Sequence, residues 1–204
     1  MGTEVNQLLL YHDLIAGIVA AMEARDAYTA NHSMRVAEMA VALCEFLNLP
    51  EEETILYHIS AHLHDLGKIG IEDSVLRKSS PLTAVEWEQM KSHPVIGSNI
   101  LSQIDSFEGI AKIVRAHHER WDGRGYPDGL TGENIPFGAR IIAVADSIDA
   151  MLSTRPYRPE MTAVRCQEEI QTNICKMFDA RIAHSALMNW DQLLQRRSAA
   201  CSAW

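Results

Sequence analysis

The chain of 204 residues has little that would place it in a membrane, in an oxidising compartment or on a nucleic acid. No apolar run reaches the roughly 18 residues of a membrane-spanning helix. The start, MGTEVNQLLLYHDL, carries neither the basic region nor the cleavage site of a secretory leader. Met1-Gly2 does not open a myristoylation pattern, because Asn6 stands where Ser or Thr is needed. The four cysteines, Cys44, Cys166, Cys175 and Cys201, form no CxxC pair. Cys44 and Cys175 lie in apolar helical contexts and read as buried, reduced thiols of a cytoplasmic protein. Basic residues are scarce: 18 Lys and Arg against 27 Asp and Glu give a net charge of −9, which excludes a general DNA or RNA binder with a basic face. A small anionic ligand stays admissible, since a metal and a few arginines reverse the sign locally. No period-two alternation persists, so no strand is signalled.

What is present is helical spacing. Leu8, Tyr11, Leu14, Ile15, Ile18, Val19 and Met22 make 5–24 an amphipathic helix, read as a core element, with a docking or dimer contact as the alternative. A second helix, with Thr29 as N-cap, runs through Val36, Met39, Ala40, Leu43, Phe46 and Leu47 and stops at Asn48-Leu49-Pro50. A third covers Glu51 to Leu66, with an acidic first turn that suits the helix dipole. Residues 68–82 read as a loop. Thr83 and Glu86 form a capping box before a short helix ending near Lys91. Pro94 opens another helix to Gln103, and Phe107 to Glu119 forms the next. The Gly-rich stretch RWDGRGYPDGLTGENIPFG (120–138) excludes a regular helix. A helix from Ala139 to Met151, the loop STRPYRPEM, and two final helices over 162–176 and 179–196 complete an all-α fold of about seven to nine helices. In domain terms this is a leading helix at 1–22, one domain at 23–197 and a frayed tail at 198–204.

Five segments offer metal ligands: His32, the adjacent His64-Asp65, His93, the adjacent His117-His118, and Asp146 within the apolar AVADSIDA. Each is weak alone. Together they take five of the nine histidines, and Asp146 among Ala, Val and Ile has no reason to be buried unless compensated. A helical bundle aims such side chains at one cavity. Five imidazoles and two carboxylates suit Fe or Mn, and less comfortably Ni or Zn; without a thiolate a structural zinc site is disfavoured. Two ions bridged by a carboxylate, most simply Asp65, use the whole set, and such a pair activates a water and neutralises a phosphoryl group. His62, two residues before His64, points away from such a centre.

HDLGKIG, followed by HHERWDGRGYPDGLTGENIP, resembles the HD-GYP branch of the HD-domain metal-dependent phosphohydrolases. RDAYTANHSMRVAE, SHPVIGSNIL, ARIIAVADSIDAM and TRPYRPEM agree in order and spacing, so the match covers about 23–182. The resemblance implies an HD-domain helical bundle with a long GYP loop and a cytoplasmic bacterial phosphodiesterase that hydrolyses cyclic di-GMP to pGpG, and in some members on to GMP, through a hydroxide that bridges two divalent ions. It implies His32, His64, Asp65, His93, His117, His118 and Asp146 as metal ligands, and Asp65 with Lys68 as catalytic groups, Lys68 facing the phosphate as electrophile or proton donor. Tyr126, Arg155 and Arg158 would hold the ligand's phosphates and guanine, while Trp121 pins the loop. Three departures stand out: Tyr28 occupies the place of a Glu that serves a third metal in some members, leaving Asp149 as the only three-metal option; Arg158 stands where Lys is common; and residues 175–180 follow the family's closing pattern loosely. The alternatives are a weakly catalytic receptor that docks a partner, and a phosphodiesterase for cyclic GMP-AMP or pGpG. A homodimer or a signalling-protein partner is compatible with the leading helix.

Overall fold

The computed structural model describes residues 15–25, 31–154 and 159–200. Thr29, Tyr28, Arg155, Arg158, Cys201 and the leading-helix positions Leu8, Tyr11 and Leu14 lie outside them. The described chain is helical, with two isolated bridges, Asp122 to Thr131 and Ile174 to Phe178, in place of strands. The helices are α1 (15–23), α2 (His32–Phe46), α3 (Glu51–Leu63), α4 (Asp73–Leu76), α5 (Ala84–Met90), α6 (His93–Leu101), α7 (Glu108–Ala116), α8 (Phe137–Met151), α9 (Ala163–Thr172), α10 (Ala180–Met188) and α11 (Trp190–Ala199).

The centre of the bundle is α2. Its expected apolar face, Val36, Met39, Ala40 and Leu43, is fully buried, and it packs on α3, α8 and α11. Ala37, Ala40 and Ala42 on α2 and Ala139 and Ala145 on α8 share this core. Their small side chains let the backbones approach, with Ile141, Ile142, Ile148, Ile182 and Leu193 filling the remaining space. A second cluster, Leu63, Leu66, Leu101, Ile110, Ala111 and Val114, receives Val19 of α1 with Ile15 and Met22 against it. The core face of the leading helix is thus used within the chain, while Ile18 remains 47% exposed.

The start of α2 is capped from a distance. Asn31, in the left-handed region at φ 58, makes no side-chain cap. Instead the Glu23 carboxylate accepts the amides of Asn31 (2.8 Å) and Ser33 (3.1 Å), two of the donors a helix start leaves unpaired. The capping box is as read: Thr83 Oγ1 accepts from the Glu86 amide and Glu86 Oε2 from the Thr83 amide.

Several boundaries are corrected. α3 ends at Leu63 rather than Leu66, because the chain turns through His64 and Asp65 into a 3-10 turn, Leu66–Gly70, pressed on α6. The 68–82 loop contains the one-turn α4, held by Arg25, whose guanidinium donates to Ile69 O, Ile71 O and Asp73 Oδ1. α7 starts at Glu108 and ends at Ala116; α8 starts at Phe137, directly after Pro136. The last expected helix is two, broken at Asn189, whose side chain donates to Ser185 O. With α4 and this break, the helices exceed the expected seven to nine. α9 stops at Thr172, and Cys175 lies in the following turn at φ 58, exposed rather than buried; Cys44 and Cys166 are buried free thiols. α11 continues through Ser198 and Ala199, and Ala200 is buried, so order extends past the expected start of the tail. The loosely matching 175–180 segment is well anchored: Asp179 caps α10 at the Arg181 amide and pairs with Arg140 at 2.6 Å.

Gly67 decides how closely the turn after Asp65 approaches α6. A Cβ there would collide with the His93 carbonyl and the Gly97 amide, both backbone. Gly67→Ala should therefore cost at least about 3 kcal/mol, the upper end of core overpacking, measured by urea unfolding of the metal-free protein.

Candidate metal centre

The seven expected ligands converge. His32 comes from the first turn of α2, His64 and Asp65 from the turn after α3, His93 from the start of α6, His117 and His118 from the end of α7, and Asp146 from α8. They form three groups whose donor atoms lie within 4.8 Å of one another: His32, His64 and Asp146; His64, Asp65 and His117; and His93, His117 and His118. The two Asp65 oxygens face different histidines. Oδ2 lies 3.4 Å from His64 Nε2 and 3.8 Å from His32 Nε2, whereas Oδ1 lies 3.4 Å from His93 Nε2. His32 Nε2 is also 3.3 Å from Asp146 Oδ1.

Four of the five imidazoles are aimed by their other nitrogen. Nδ1 of His64 donates to Ala61 O (2.7 Å), Nδ1 of His93 to Met90 O (2.8 Å) and Nδ1 of His117 to Val114 O (2.6 Å). A carbonyl only accepts, so Nδ1 carries the proton and Nε2 turns a lone pair inward. His32 follows the same rule with a carboxylate: its Nδ1 donates to Asp149 Oδ2 at 2.7 Å. Asp149 is fully buried, and Arg35 and Arg197 both donate to it. It is thus engaged behind His32.

Burial, then the Lys68 ammonium and His64, keep His93 below the ordinary histidine range, burial and the neighbouring imidazoles hold His117 well below it, and burial and His93 push His118 down to about 3. These three present neutral imidazoles at pH 7, the form that ligates. Burial also works against a proton on His32, but Asp146 and Asp149 outweigh it and lift that imidazole to about 9. Burial opposes ionisation of Asp65, yet Lys68 and then His64 and His93 hold its carboxyl well below the usual carboxylate range. Lys68 Nζ donates to Asp65 Oδ2 at 2.7 Å.

The residues fit a metal. His64 Nε2 is buried and finds no hydrogen-bond partner among the described residues, an arrangement that costs about 1–3 kcal/mol unless something accepts its lone pair. Imidazole and carboxylate donors with fixed tautomers and outer hydrogen bonds are the usual form of a transition-metal site. His62 is not part of it; its ring lies against His58, Nε2 to Nε2 at 3.1 Å.

The centre opens into a cavity of about 570 Å³, lined among others by Lys68, Lys78, Trp87, His118, Tyr126 and Asp146. Tyr126 lies over His118, ring centroids 4.8 Å apart, and Trp87 meets Tyr126 edge-on at 6.5 Å. Trp87 is 48% exposed, and sequence reasoning missed it: a single Trp on a short polar helix gives no signal of what it faces. Trp121 does not line the cavity; it packs under the Arg140 guanidinium, and its amide donates to Met177 O, pinning the loop to the bundle. Glu119 was also missed. It is buried, and its carboxylate accepts the amides of Asp128 (2.7 Å), Gly129 (3.0 Å) and Leu130 (3.1 Å), tying the Gly-rich loop to the end of α7. Arg155 and Arg158 lie outside the described residues.

A helical domain with a convergent His/Asp centre under a Gly-rich loop is the class that these features define. Residues 18–182 match the HD domain family, and the chain belongs to it; HDLGK and GYP on one cavity place it in the HD-GYP branch. The chain is 42% identical over 185 residues to the cyclic di-GMP phosphodiesterase response regulator RpfG of Xanthomonas campestris, covering 90% of this chain and 49% of that protein. It is 34% identical over 189 residues to 3'3'-cGAMP-specific phosphodiesterase 2 of Vibrio cholerae, covering 92% and 36%. The chain thus spans half or less of the length of these curated relatives. Among solved structures, the cyclic GMP-AMP-specific phosphodiesterase V-cGAP3 of Vibrio cholerae superposes with a TM-score of 0.70 at 17% identity, over 92% of this chain and 50% of that one. None of the described helices is long and apolar enough to cross a membrane.

Glu119→Ala leaves three loop amides without their acceptor, at about 1–3 kcal/mol for each that water does not reach. Hydrogen exchange should accelerate at Asp128, Gly129 and Leu130 while the α8 amides keep their protection.

Proposed function

We propose that this chain is a metal-dependent cyclic-dinucleotide phosphodiesterase that hydrolyses cyclic di-GMP to pGpG. The observation that carries the reading is the division of Asp65, one oxygen toward His32 and His64 and the other toward His93. A carboxylate placed so is suited to bridge two ions, one held by His32, His64, Asp65 and Asp146, the other by Asp65, His93, His117 and His118. Iron or manganese fits this oxygen and imidazole set best. Two divalent ions so held supply Lewis acidity and a nucleophilic water at neutral pH.

The chain's own groups do the rest. The Lys68 ammonium, at the mouth of the centre, offers a cation and a proton to the phosphoryl group whose ester bond breaks. Tyr126 and Trp87 present aromatic faces in the cavity for the nucleobases. Arg155 and Arg158 are assigned to the phosphates or guanine edges, for which forked donors are suited. The cavity volume falls within the range for small-molecule sites, about 300–1,000 Å³. A silent receptor is disfavoured because every ligand and the GYP loop are in place. A 3'3'-cGAMP substrate is the second reading, favoured by the names of the Vibrio cholerae relatives.

Protein purified anaerobically with Fe or Mn should convert cyclic di-GMP to pGpG, with pGpG, GMP and unreacted ligand resolved by chromatography. Unchanged ligand at full metal content would sink the enzyme reading, and faster turnover of 3'3'-cGAMP would select the second substrate. Asp65→Ala should abolish turnover and metal content together, whereas His62→Ala should leave both intact. Base–aromatic stacking is worth about 1–3 kcal/mol, so Trp87→Ala should raise KM roughly tenfold with kcat within a factor of about three.

A further inference from the structure

Beyond the residues that touch the centre, one buried carboxylate links it to the last helix. Asp149 accepts from His32 Nδ1 through Oδ2 (2.7 Å) and, through Oδ1, from Arg35 Nε and Arg197 Nε, both at 2.7 Å. Arg35 Nη2 adds a bond to Oδ2 at 2.9 Å, and Ser153 lies at 3.4 Å. Arg197 spends its other contacts on the same spot: its Nη2 donates to Leu152 O (3.1 Å) and Ser153 Oγ (2.9 Å) at the end of α8. Two guanidiniums from different helices therefore converge on one carboxylate oxygen. That is more positive charge than a simple pair needs, and it suits an anion that must stay fixed while its other oxygen orients an imidazole. α11 is docked independently of this contact, by Trp190 and Leu193 in the core and by Arg196 to Glu45 on α2. Arg197 lies beyond residues 18–182, where the family match ends.

We propose that Arg197 is a positioning residue of the metal centre: from α11 it locks Asp149, which fixes the tautomer and direction of His32, making the last helix a working part of the site. The inference rests on the reading of His32 as a ligand. Without Arg197 the carboxylate keeps only the Arg35 guanidinium on Oδ1, and the hold on the group that orients His32 is looser.

The test is Mn2+ binding to the metal-stripped full chain, followed by the electron paramagnetic resonance of free Mn2+. Loss of an outer-sphere partner typically costs about 10–100-fold in metal affinity. Arg197→Ala should weaken one of the two ions about tenfold and leave the other within a factor of about two, with the thermal midpoint of the metal-free chain little changed. Arg197→Lys, which keeps the charge but not the fork, should recover part of that loss. Leu193→Ala, which loosens α11 without touching Asp149, should lower the midpoint and leave both affinities of the folded chain unaltered. Equal weakening of both ions by Arg197→Ala, or wild-type affinities in that variant, would overturn the proposal while leaving the enzyme reading intact. Failure of the wild-type chain to bind Mn2+ at all would overturn both.

Discussion

The centre depends on one repeated interaction, an imidazole Nδ1–H donating to the carbonyl three residues earlier at the end of a helix. His64 does this to Ala61 as α3 ends, His93 to Met90 as α5 ends, and His117 to Val114 as α7 ends. Helix ends leave carbonyls unpaired and carry negative partial charge. One contact therefore satisfies an orphan acceptor, fixes a tautomer and turns Nε2 inward. Three helix C-termini converging on one point also form a field that favours a cation, which helps explain why so many ligands sit on helix ends rather than mid-helix.

His32 is the exception, because it lies in the first turn of α2 rather than just past a helix end with unpaired carbonyls, and the structure supplies a carboxylate instead. Asp149 performs for His32 what the backbone performs for the others, and being charged and buried it needs Arg35 and Arg197 to compensate it. The loop follows a related logic. It has no regular ladder of its own, so its amides are collected by the Glu119 carboxylate at one end, while Trp121 and the Met177 carbonyl hold the other side. Tyr126 is thereby set over His118 without any helix to carry it.

Much of this was legible in the residues. The all-α fold, the faces of α2 and α8, the capping box at Thr83 and the seven convergent donors follow from spacing and from the cost of burying Asp and His uncompensated. The misplaced boundaries share one cause. Periodicity runs on through residues that tertiary contacts pull out of the helix: the turn at His64-Asp65 is set by Gly67 against α6, and the break at Asn189 lets Trp190 and Leu193 reach the core. Trp87 and Glu119 were invisible as site residues, and Asp149 was read only as a third-metal option, because each acts through a neighbour distant in sequence.

The sequence by itself determined the chemistry available, since donor type and motif spacing are local properties that one strand of text contains: imidazoles, carboxylates, a lysine one turn away and a loop too rich in glycine for a helix. Only the tertiary structure decided the direction of each donor. Which way a lone pair points depends on what holds the opposite side of the ring, and those holders are helix-end carbonyls, a carboxylate 117 residues from His32, and an arginine on the last helix.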